Sequence, residues 1–382
     1  DRRRLRSCQL MLKEVCAVWS WISSNVNALT LTRLILLVGA WQLFLSLLFL
    51  LALKRQTEEP ESSYAPSVSV IIACKGASRH FELNIRSFLS QRYASTCEII
   101  FVSPRTTDPA YQALKNLLPN YPNVRCQLLS SDAVPVRCSE KIINMLFALE
   151  CVRPQTKVLV FADCEILVPE NWLHSLVCSL ENSGTIAVTS PPVSLAHEPS
   201  ALQLLRMAWT SLLTSFLATF PIIFGPSWAM RRTDFEALGI ATLWSRSVTD
   251  DLVINTTLKG TGKRIELALS AVPVCWEDCD LRSLAAWFVK GFRWCKVYAF
   301  DVWALGGIAI LGKLYLWFWF LRSQVYAPLL LMAALDALAL FLVFEAFHRY
   351  TPQPLNAIAP AFKHYPFWTG LSAPWLPLLQ VY

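Results

Sequence analysis

Two pairs of acidic residues in the middle of the sequence have the types and spacing that catalysis needs. Asp163 and Glu165 follow the apolar run KVLVFA, which predicts a buried strand ending at the first acid. In open α/β sheets, ligands bind at the carboxyl ends of the strands. Hard divalent cations prefer carboxylate oxygens and keep positions free for phosphate oxygens. The pair therefore predicts a Mg²⁺ or Mn²⁺ site that holds a diphosphate, although acids also favour a helix N-terminus.

The second pair, Asp250 and Asp251 in VTDDL, stands at the start of a predicted helix. A carboxylate in this place can take the proton from an attacking hydroxyl group, which is general-base catalysis. We assign the base to Asp251 and an orienting role to Asp250. Capping of the helix by Thr249 or Asp250 is the structural alternative, and capping and catalysis are compatible.

Basic and aromatic residues near these pairs are candidates for binding an anionic ligand. Arg293 of KGFRW can hold a diphosphate through two hydrogen bonds, and Trp294 can stack on a sugar. An aromatic and basic belt at a membrane surface gives the same pattern. Lys141 and Asn144 lie one predicted helical turn apart on one face, where the lysine can approach a pyrophosphate.

Three predicted loops supply further candidates. Lys75 and Gly76 follow the first predicted strand, where loop backbone can hold a nucleotide base. Asp108 follows the second strand and either contacts the base or ribose or simply forms an Asp-Pro turn. The segment FGPSWAMRR at 224–232 predicts a loop on the acceptor side, with the candidates Gly225, Ser227 and Trp228.

Composition favours a membrane protein that carries a soluble domain. Of the 382 residues, 54% are hydrophobic and only 16% are charged. The net charge of +7 is explained by basic residues that flank apolar segments and attract lipid headgroups, so no nucleic-acid partner is expected. Of the 12 cysteines, Cys74, Cys97, Cys126 and Cys164 fall in or beside predicted strands, as buried thiols do, and reduced thiols fit a domain facing the cytosol.

Apolar runs then define the elements that must position these residues. Short β-branched runs alternate with helical ones, which predicts βαβ units around a mostly parallel sheet. The predicted strands are 67–73, 97–103, 124–130, 157–163 and 185–190, and the predicted helices are 80–91, 108–118, 139–151 and 170–181.

Apolar segments flank this domain on both sides. Residues 30–53 and 325–347 are long enough to cross a bilayer, 302–321 are similarly apolar, and 200–224 predict a helix against the membrane or the acceptor groove. The predicted organisation is an interfacial amphipathic segment (1–29), a transmembrane helix (30–53), a linker (54–66), a catalytic domain (67–298) and C-terminal membrane helices (299–382).

Together the motifs resemble those of the ceramide glucosyltransferase family, within the inverting GT-A glycosyltransferases, over roughly residues 30–320. The resemblance implies a Rossmann-like α/β GT-A catalytic domain with transmembrane or interfacial helices at both ends. It also implies a UDP-sugar donor, a Mn or Mg cation and a lipid acceptor in the bilayer. Three features depart from the family pattern: Lys290 stands where Gln or Arg is usual, Glu165 stands where Asp is usual, and the first aspartate motif reads SPRTTD, in which Asp108 is the only acid. The family's acceptor-side histidine has no clear counterpart, and His197 is the nearest residue of that type.

The leading hypothesis is an enzyme that transfers a hexose from a UDP-sugar to ceramide at the cytosolic face. Glucose is the first candidate for this hexose. Transfer to diacylglycerol or a hopanoid remains open, as does a processive polysaccharide synthase, although such synthases usually have more membrane helices. A membrane scaffold or lipid-binding protein with an inactive domain is a hypothesis of another class, and both acid pairs with Arg293-Trp294 argue against it. A transporter is disfavoured because the central region predicts a soluble α/β domain.

Overall fold

The computed structural model describes residues 28–58, 62–195, 200–219, 221–276, 280–322, 324 and 326–350. Apart from its last two residues, the predicted interfacial segment 1–29 lies outside these ranges, as do residues 351–382 of the predicted C-terminal membrane region. His197, the nearest candidate in the sequence for an acceptor-side histidine, also lies outside them.

All five predicted strands and all four predicted helices of the central region form, with ends that shift by a few residues. The strands are β1 (Val68–Ala73), β2 (Cys97–Ser103), β3 (Cys126–Ser130), β4 (Val158–Asp163), β5 (Ile166–Leu167), β6 (Thr185–Thr189), β7 (Val193–Leu195), β8 (Ser227–Arg231), β9 (Arg264–Leu267) and β10 (Val274–Trp276). The helices are α1 (Ala28–Glu58), α2 (Phe81–Leu89), α3 (Pro109–Leu117), α4 (Glu140–Glu150), α5 (Trp172–Cys178), α6 (Ala201–Thr219), α7 (Arg232–Ala237), α8 (Ile240–Trp244), α9 (Leu252–Leu258), α10 (Leu281–Tyr298), α11 (Phe300–Arg322) and α12 (Tyr326–Tyr350).

A seven-stranded sheet organises the domain, in the order β3-β2-β1-β4-β8-β6-β9. Its strands pair in parallel except β8, which runs antiparallel to both β4 and β6. Within the register of β1 and β4, Ala73 lies beside Asp163, so the first acid of the acid pair stands at the carboxyl edge of the sheet. The predicted α/β class and mostly parallel sheet are confirmed.

Most of the segment at 224–232 is a strand, β8, rather than the predicted acceptor-side loop. β8 fills the centre of the sheet between β4 and β6, and its Ser227 and Trp228 side chains are fully buried. The Ser227 hydroxyl accepts a hydrogen bond of 2.8 Å from the Trp172 indole N–H. Since both side chains are enclosed in the core, their predicted contact with an acceptor is wrong.

Trp228 belongs to an aromatic cluster that also contains Phe161, Phe235 and Trp244. The ring of Phe161 stacks on that of Trp228 with 4.5 Å between centroids, and Trp244 meets Phe161 edge-on at 5.1 Å. The Trp244 indole N–H donates to the backbone carbonyl of Asp250 at 2.8 Å. Because Phe161 lies in β4, the cluster ties the strand that ends in Asp163 to the segment that carries Asp250.

The apolar helices pack beside the domain. Two helices among the described residues are long and apolar enough to cross a bilayer, Ile35–Arg55 within α1 and Tyr326–Phe347 within α12. They overlap the predicted spans 30–53 and 325–347. α11 is not one of the two, so its place in the membrane stays a prediction. The first residues of the predicted linker are helical instead, because α1 continues to Glu58.

An ion pair joins two of these helices. The Lys313 ammonium of α11 lies 2.5 Å from Asp336 Oδ2 of α12, and Asp336 is 3% exposed. An ionisable residue inside an apolar helix normally faces other helices and finds a partner there. Asp336 follows this rule, because it faces α11 and pairs there with Lys313.

Helix α6 connects the apolar helices with the domain. Its Met207 shares a cluster with Phe49 of α1 and Phe347 of α12. On another side, its Trp209 meets Phe288 of α10 edge-on at 5.5 Å. Within the apolar stretch 200–224, Ala201–Thr219 is therefore a helix that packs between the apolar helices and α10.

Candidate functional site

The acid pair stands where the sequence predicted it. Asp163 is the last residue of β4, and Glu165 lies two residues further, directly before β5. The Asp163 N–H donates to the Pro226 carbonyl at 3.0 Å, which fixes the end of β4 against the start of β8. The pKa of the Glu165 carboxyl is raised, first because the surrounding protein removes part of its hydration and then because Asp163 is close.

Asp163 and Glu165 carry carboxylates, the ligand type that a hard divalent cation prefers. Among the described residues, no group of three or more His, Cys, Asp or Glu side chains could hold a metal. A cation held by Asp163 and Glu165 would need further ligands and would keep positions for substrate phosphates, and this metal site stays a prediction. Such a cation would supply positive charge that offsets the charge of a diphosphate.

Lys141 joins the acid pair to the second acidic pair. Its ammonium lies 2.6 Å from Asp163 Oδ1 and 2.9 Å from Asp250 Oδ2. Burial opposes the charge of this ammonium, but the two carboxylates outweigh burial and raise the pKa of Lys141. The lysine stays charged, holds both pairs at one edge of the sheet, and lies where it can reach an anion bound beside Asp163.

Asp251 is held by two backbone groups. It caps α9, where its Oδ1 accepts a hydrogen bond of 2.7 Å from the Leu252 N–H, and its Oδ2 accepts one of 2.9 Å from the Gly225 N–H. Burial, then Asp250, raises the pKa of Asp251 to about 6. At neutral pH this carboxylate is ionised yet more basic than an exposed aspartate, which suits a general base.

Gly225 approaches this base closely. A Cβ atom on Gly225 would lie 3.1 Å from Asp251 Oδ2 and 3.5 Å from Asp250 Oδ1. A side chain at this position would crowd the Asp251 carboxylate and contact that of Asp250. Of the three predicted acceptor-side residues, Gly225 alone adjoins the site.

The loops after β1 and β2 are tied together. Asp108 Oδ1 accepts hydrogen bonds of 2.8 Å from the N–H groups of Gly76 and Ala110. Asp108 is thus the N-cap of α3, as the turn alternative predicted, and it also fixes Gly76, whose φ of 67° suits glycine. Lys75 forms an ion pair with Glu140 of α4. Contact of Lys75, Gly76 and Asp108 with a nucleotide stays a prediction.

Asn144 lies one turn after Lys141 on α4 and is buried. Its Oδ1 accepts a hydrogen bond of 2.5 Å from the Ser131 hydroxyl, just after β3. The amide holds the loop that follows this strand, and its predicted contact with a donor stays a prediction.

Arg293 and Trp294 lie on α10, which passes beside both acidic pairs. The Lys290 ammonium stands 4.9 Å from the centre of the Trp294 ring, and Lys290 also lowers the pKa of Glu165. Five residues further, the pKa of Cys295 is raised by burial and then by Asp251. The helix therefore extends from the acid pair to the base. Arg293 is exposed on it, and its predicted grip on a diphosphate stays a prediction.

Arg206 of α6 adjoins the acid pair, which the sequence analysis did not anticipate. Its guanidinium lies 4.8 Å from the centre of the Trp287 ring of α10, and its charge favours the ionised form of Glu165. The available signal was a lone arginine in an apolar helix, because a charge in such a place needs a partner or a ligand.

Comparison with known proteins gives one family. The model of glycosyl transferase family 21 matches residues 31–357. This range contains every candidate residue named above.

Three solved structures share parts of the fold. The mannosyltransferase PcManGT from Pyrobaculum calidifontis, in complex with GDP-Man and Mn²⁺, is 17% identical, with 92% of this chain and 99% of that chain covered and a TM-score of 0.46. GalNAc-T7 with UDP, GalNAc and Mn²⁺ is 13% identical over 56% of this chain and 44% of that chain, with a TM-score of 0.42. The 4-diphosphocytidyl-2C-methyl-D-erythritol synthase from Anaerococcus prevotii is 13% identical over 53% and 88%, with a TM-score of 0.36. At these TM-scores the likenesses carry no functional conclusion.

Proposed function

Because the chain belongs to glycosyl transferase family 21, the ceramide glucosyltransferase family, we propose that it transfers a hexose from a UDP-sugar to the hydroxyl group of a membrane lipid. Glucose is the leading sugar and ceramide the leading acceptor. The observation that supports this proposal most is the Lys141 ammonium, which lies within 2.9 Å of both Asp163 and Asp250. A donor site and a base thus share one edge of the sheet.

The donor side of the reaction falls to the acid pair and its basic neighbours. Asp163 and Glu165 are the residues that would hold Mn²⁺ or Mg²⁺, and the bound cation would neutralise charge on the diphosphate. In this proposal Lys141 and Arg293 bind the phosphate oxygens, and Lys75, Gly76 and Asp108 contact the nucleotide. Trp294 forms a wall beside the sugar.

The acceptor side falls to Asp251. In an inverting transfer the lipid hydroxyl oxygen forms a bond to the anomeric carbon while the bond from that carbon to the UDP oxygen breaks. Asp251 takes the hydroxyl proton, and UDP leaves with the bonding electrons. The hydrogen bonds from Gly225 and Leu252 orient the carboxylate, and its pKa of about 6 keeps it ionised at neutral pH.

The direct test is a product assay. Purified full chain in detergent is incubated with Mn²⁺, a panel of UDP-sugars and a total lipid extract, and the lipids are analysed by mass spectrometry. We expect one lipid class to gain a single hexose, with UDP-glucose as donor and ceramide as acceptor. A hexose on diacylglycerol or a hopanoid would correct the acceptor, a growing polymer would favour a processive synthase, and no product with any donor would contradict the proposal.

We predict that the catalytic domain faces the cytosol and lies on the membrane, where the lipid enters from the side. The apolar helices α1 and α12 pack beside α6 of this domain, and UDP-sugars are a cytosolic pool. Protease added to sealed, right-side-out vesicles should leave the domain intact, and lysis of the vesicles should expose it. Digestion of the domain in intact vesicles would reverse the orientation.

A further inference from the structure

We propose that Asn255 is a positioning residue for the base: its side-chain amide holds the segment Ile223–Gly225 so that the Gly225 N–H group donates to Asp251. Asn255 lies on α9, four residues after Asp251, and has no role in the assignments above. This inference rests on the proposed function, because it assumes that Asp251 is the base.

The contacts of Asn255 are specific to one residue of the facing segment. Its Oδ1 accepts a hydrogen bond of 2.8 Å from the Ile223 N–H, and its Nδ2 donates to the Ile223 carbonyl at 3.1 Å. The amide thus satisfies both backbone groups of Ile223, as a neighbouring strand would do. Nδ2 also donates to the Asp251 carbonyl at 3.1 Å, so one side chain joins the base to the segment that supplies its hydrogen bond.

A second residue holds the same segment from the other side. The Thr189 hydroxyl of β6 accepts from the Phe224 N–H at 3.0 Å and donates to the Ser227 carbonyl at 2.9 Å. Gly225 lies between the two attachment points, and its N–H meets Asp251 Oδ2 at 2.9 Å. Because Thr189 is fully buried in the sheet, it gives the segment a rigid support, whereas Asn255 sets the distance from the segment to α9.

A purely structural role for Asn255 explains only one of its hydrogen bonds. Support of the first turn of α9 would require only the bond to the Asp251 carbonyl. The two bonds to Ile223 are made across the site to a residue 32 positions earlier in the sequence. They fix the donor of the only hydrogen bond that Asp251 Oδ2 receives among the hydrogen bonds of the described residues.

The charged and titratable groups facing Asp251 determine what loss of this contact would do. Asp250 lies beside it on the same segment, Lys141 faces it from α4, and Cys295 faces it from α10. Burial and Asp250 raise the pKa of Asp251, whereas Lys141 and the Gly225 N–H lower it. A hydrogen bond to a carboxylate favours the ionised form. Without Asn255 the Gly225 N–H loses its fixed position, and Asp251 takes up its proton at higher pH.

The test is the pH dependence of transfer by the full chain in detergent. Asn255→Ala and Asn255→Ser both remove the amide, and Thr256→Ala on the exposed face of the same helix is the matched control. Rates are measured with UDP-glucose and a short-chain ceramide, or with the active pair from the product assay. We expect the acidic limb of kcat/KM to move up by roughly 0.5–1 pH unit in both Asn255 variants, with a loss of about 2- to 6-fold near pH 6. Above about pH 8 their rates should approach that of the wild type, because the base is then ionised in all variants.

Two results would overturn the proposal or its premise, and they are distinguishable. If the Asn255 variants lose the same fraction of activity at every pH and the acidic limb does not move, Asn255 is a structural residue only. The assignment of Asp251 as base then still holds if Asp251→Asn is inactive. Normal turnover of Asp251→Asn would remove the base itself. Melting temperature and UDP binding identify an unfolded variant. If one of the two Asn255 variants is unfolded, the pH profile of the other tests the proposal.

Discussion

Replacing Asp251 with asparagine lowers the rate of hexose transfer by about 10²–10⁴-fold, the usual cost of losing a general base. The amide has nearly the size of the carboxylate but cannot take up the proton of the lipid hydroxyl. Since the donor is bound by other residues, calorimetry should give a dissociation constant for UDP-sugar close to that of the wild type. The measurement is the initial rate at saturating donor and lipid.

The matched control for this substitution is Glu236→Gln. Glu236 is an exposed helix carboxylate, paired with Arg232 at 2.7 Å, and it has no part in the proposed site. Its variant should keep full activity. A near-normal rate for Asp251→Asn would instead transfer the role of base, and Asp250→Asn would then be the next substitution to examine.

The same assignment sets the pH dependence of the wild-type enzyme. Burial raises the pKa of Asp251 to about 6, so the carboxylate is ionised above this pH and protonated below it. A protonated carboxyl cannot act as base, and kcat/KM should fall roughly tenfold per pH unit below about pH 6. An acidic limb that persists unchanged in Asp251→Asn would assign the titration to another group.

We also predict that removal of the divalent cation abolishes transfer. Asp163 and Glu165 offer two carboxylates at the carboxyl edge of the sheet. The cation that they would hold also binds oxygens of the diphosphate, so the donor depends on the cation for this contact. Excess EDTA should therefore stop turnover, and Mn²⁺ or Mg²⁺ should restore it. Asp163→Asn and Glu165→Gln should each weaken binding of Mn²⁺, measured by electron paramagnetic resonance without any turnover.

Glu170→Gln is the control for the acid pair. Glu170 lies beyond β5 and pairs with Arg92 at 2.6 Å, away from the proposed metal ligands, so its variant should bind Mn²⁺ like the wild type. Full turnover in chelator would contradict the metal assignment. Lys141 would then be the one cation already placed between Asp163 and Asp250 that could offset a diphosphate.

The sequence alone determined the local elements and the edge of the sheet where the acids lie. Continuous apolar runs such as KVLVFA are defined by neighbouring residues only, so β4 was predicted with its end at Asp163. The carboxyl ends of parallel strands meet at one edge, which placed Asp163 beside the loop after β1. The start of α9 at the second acidic pair followed from the capping preference of aspartate.

Only the tertiary structure decided how these pieces meet. The run at 227–231 is short and follows a proline, so nothing local revealed that β8 inserts antiparallel between β4 and β6 and buries Trp228. Contacts such as Lys141 with Asp250 join residues 109 positions apart, and Asn255 with Ile223 join residues 32 apart. Such pairs depend on which strands become neighbours in the sheet, and the periodicity of a single sequence carries no record of that choice.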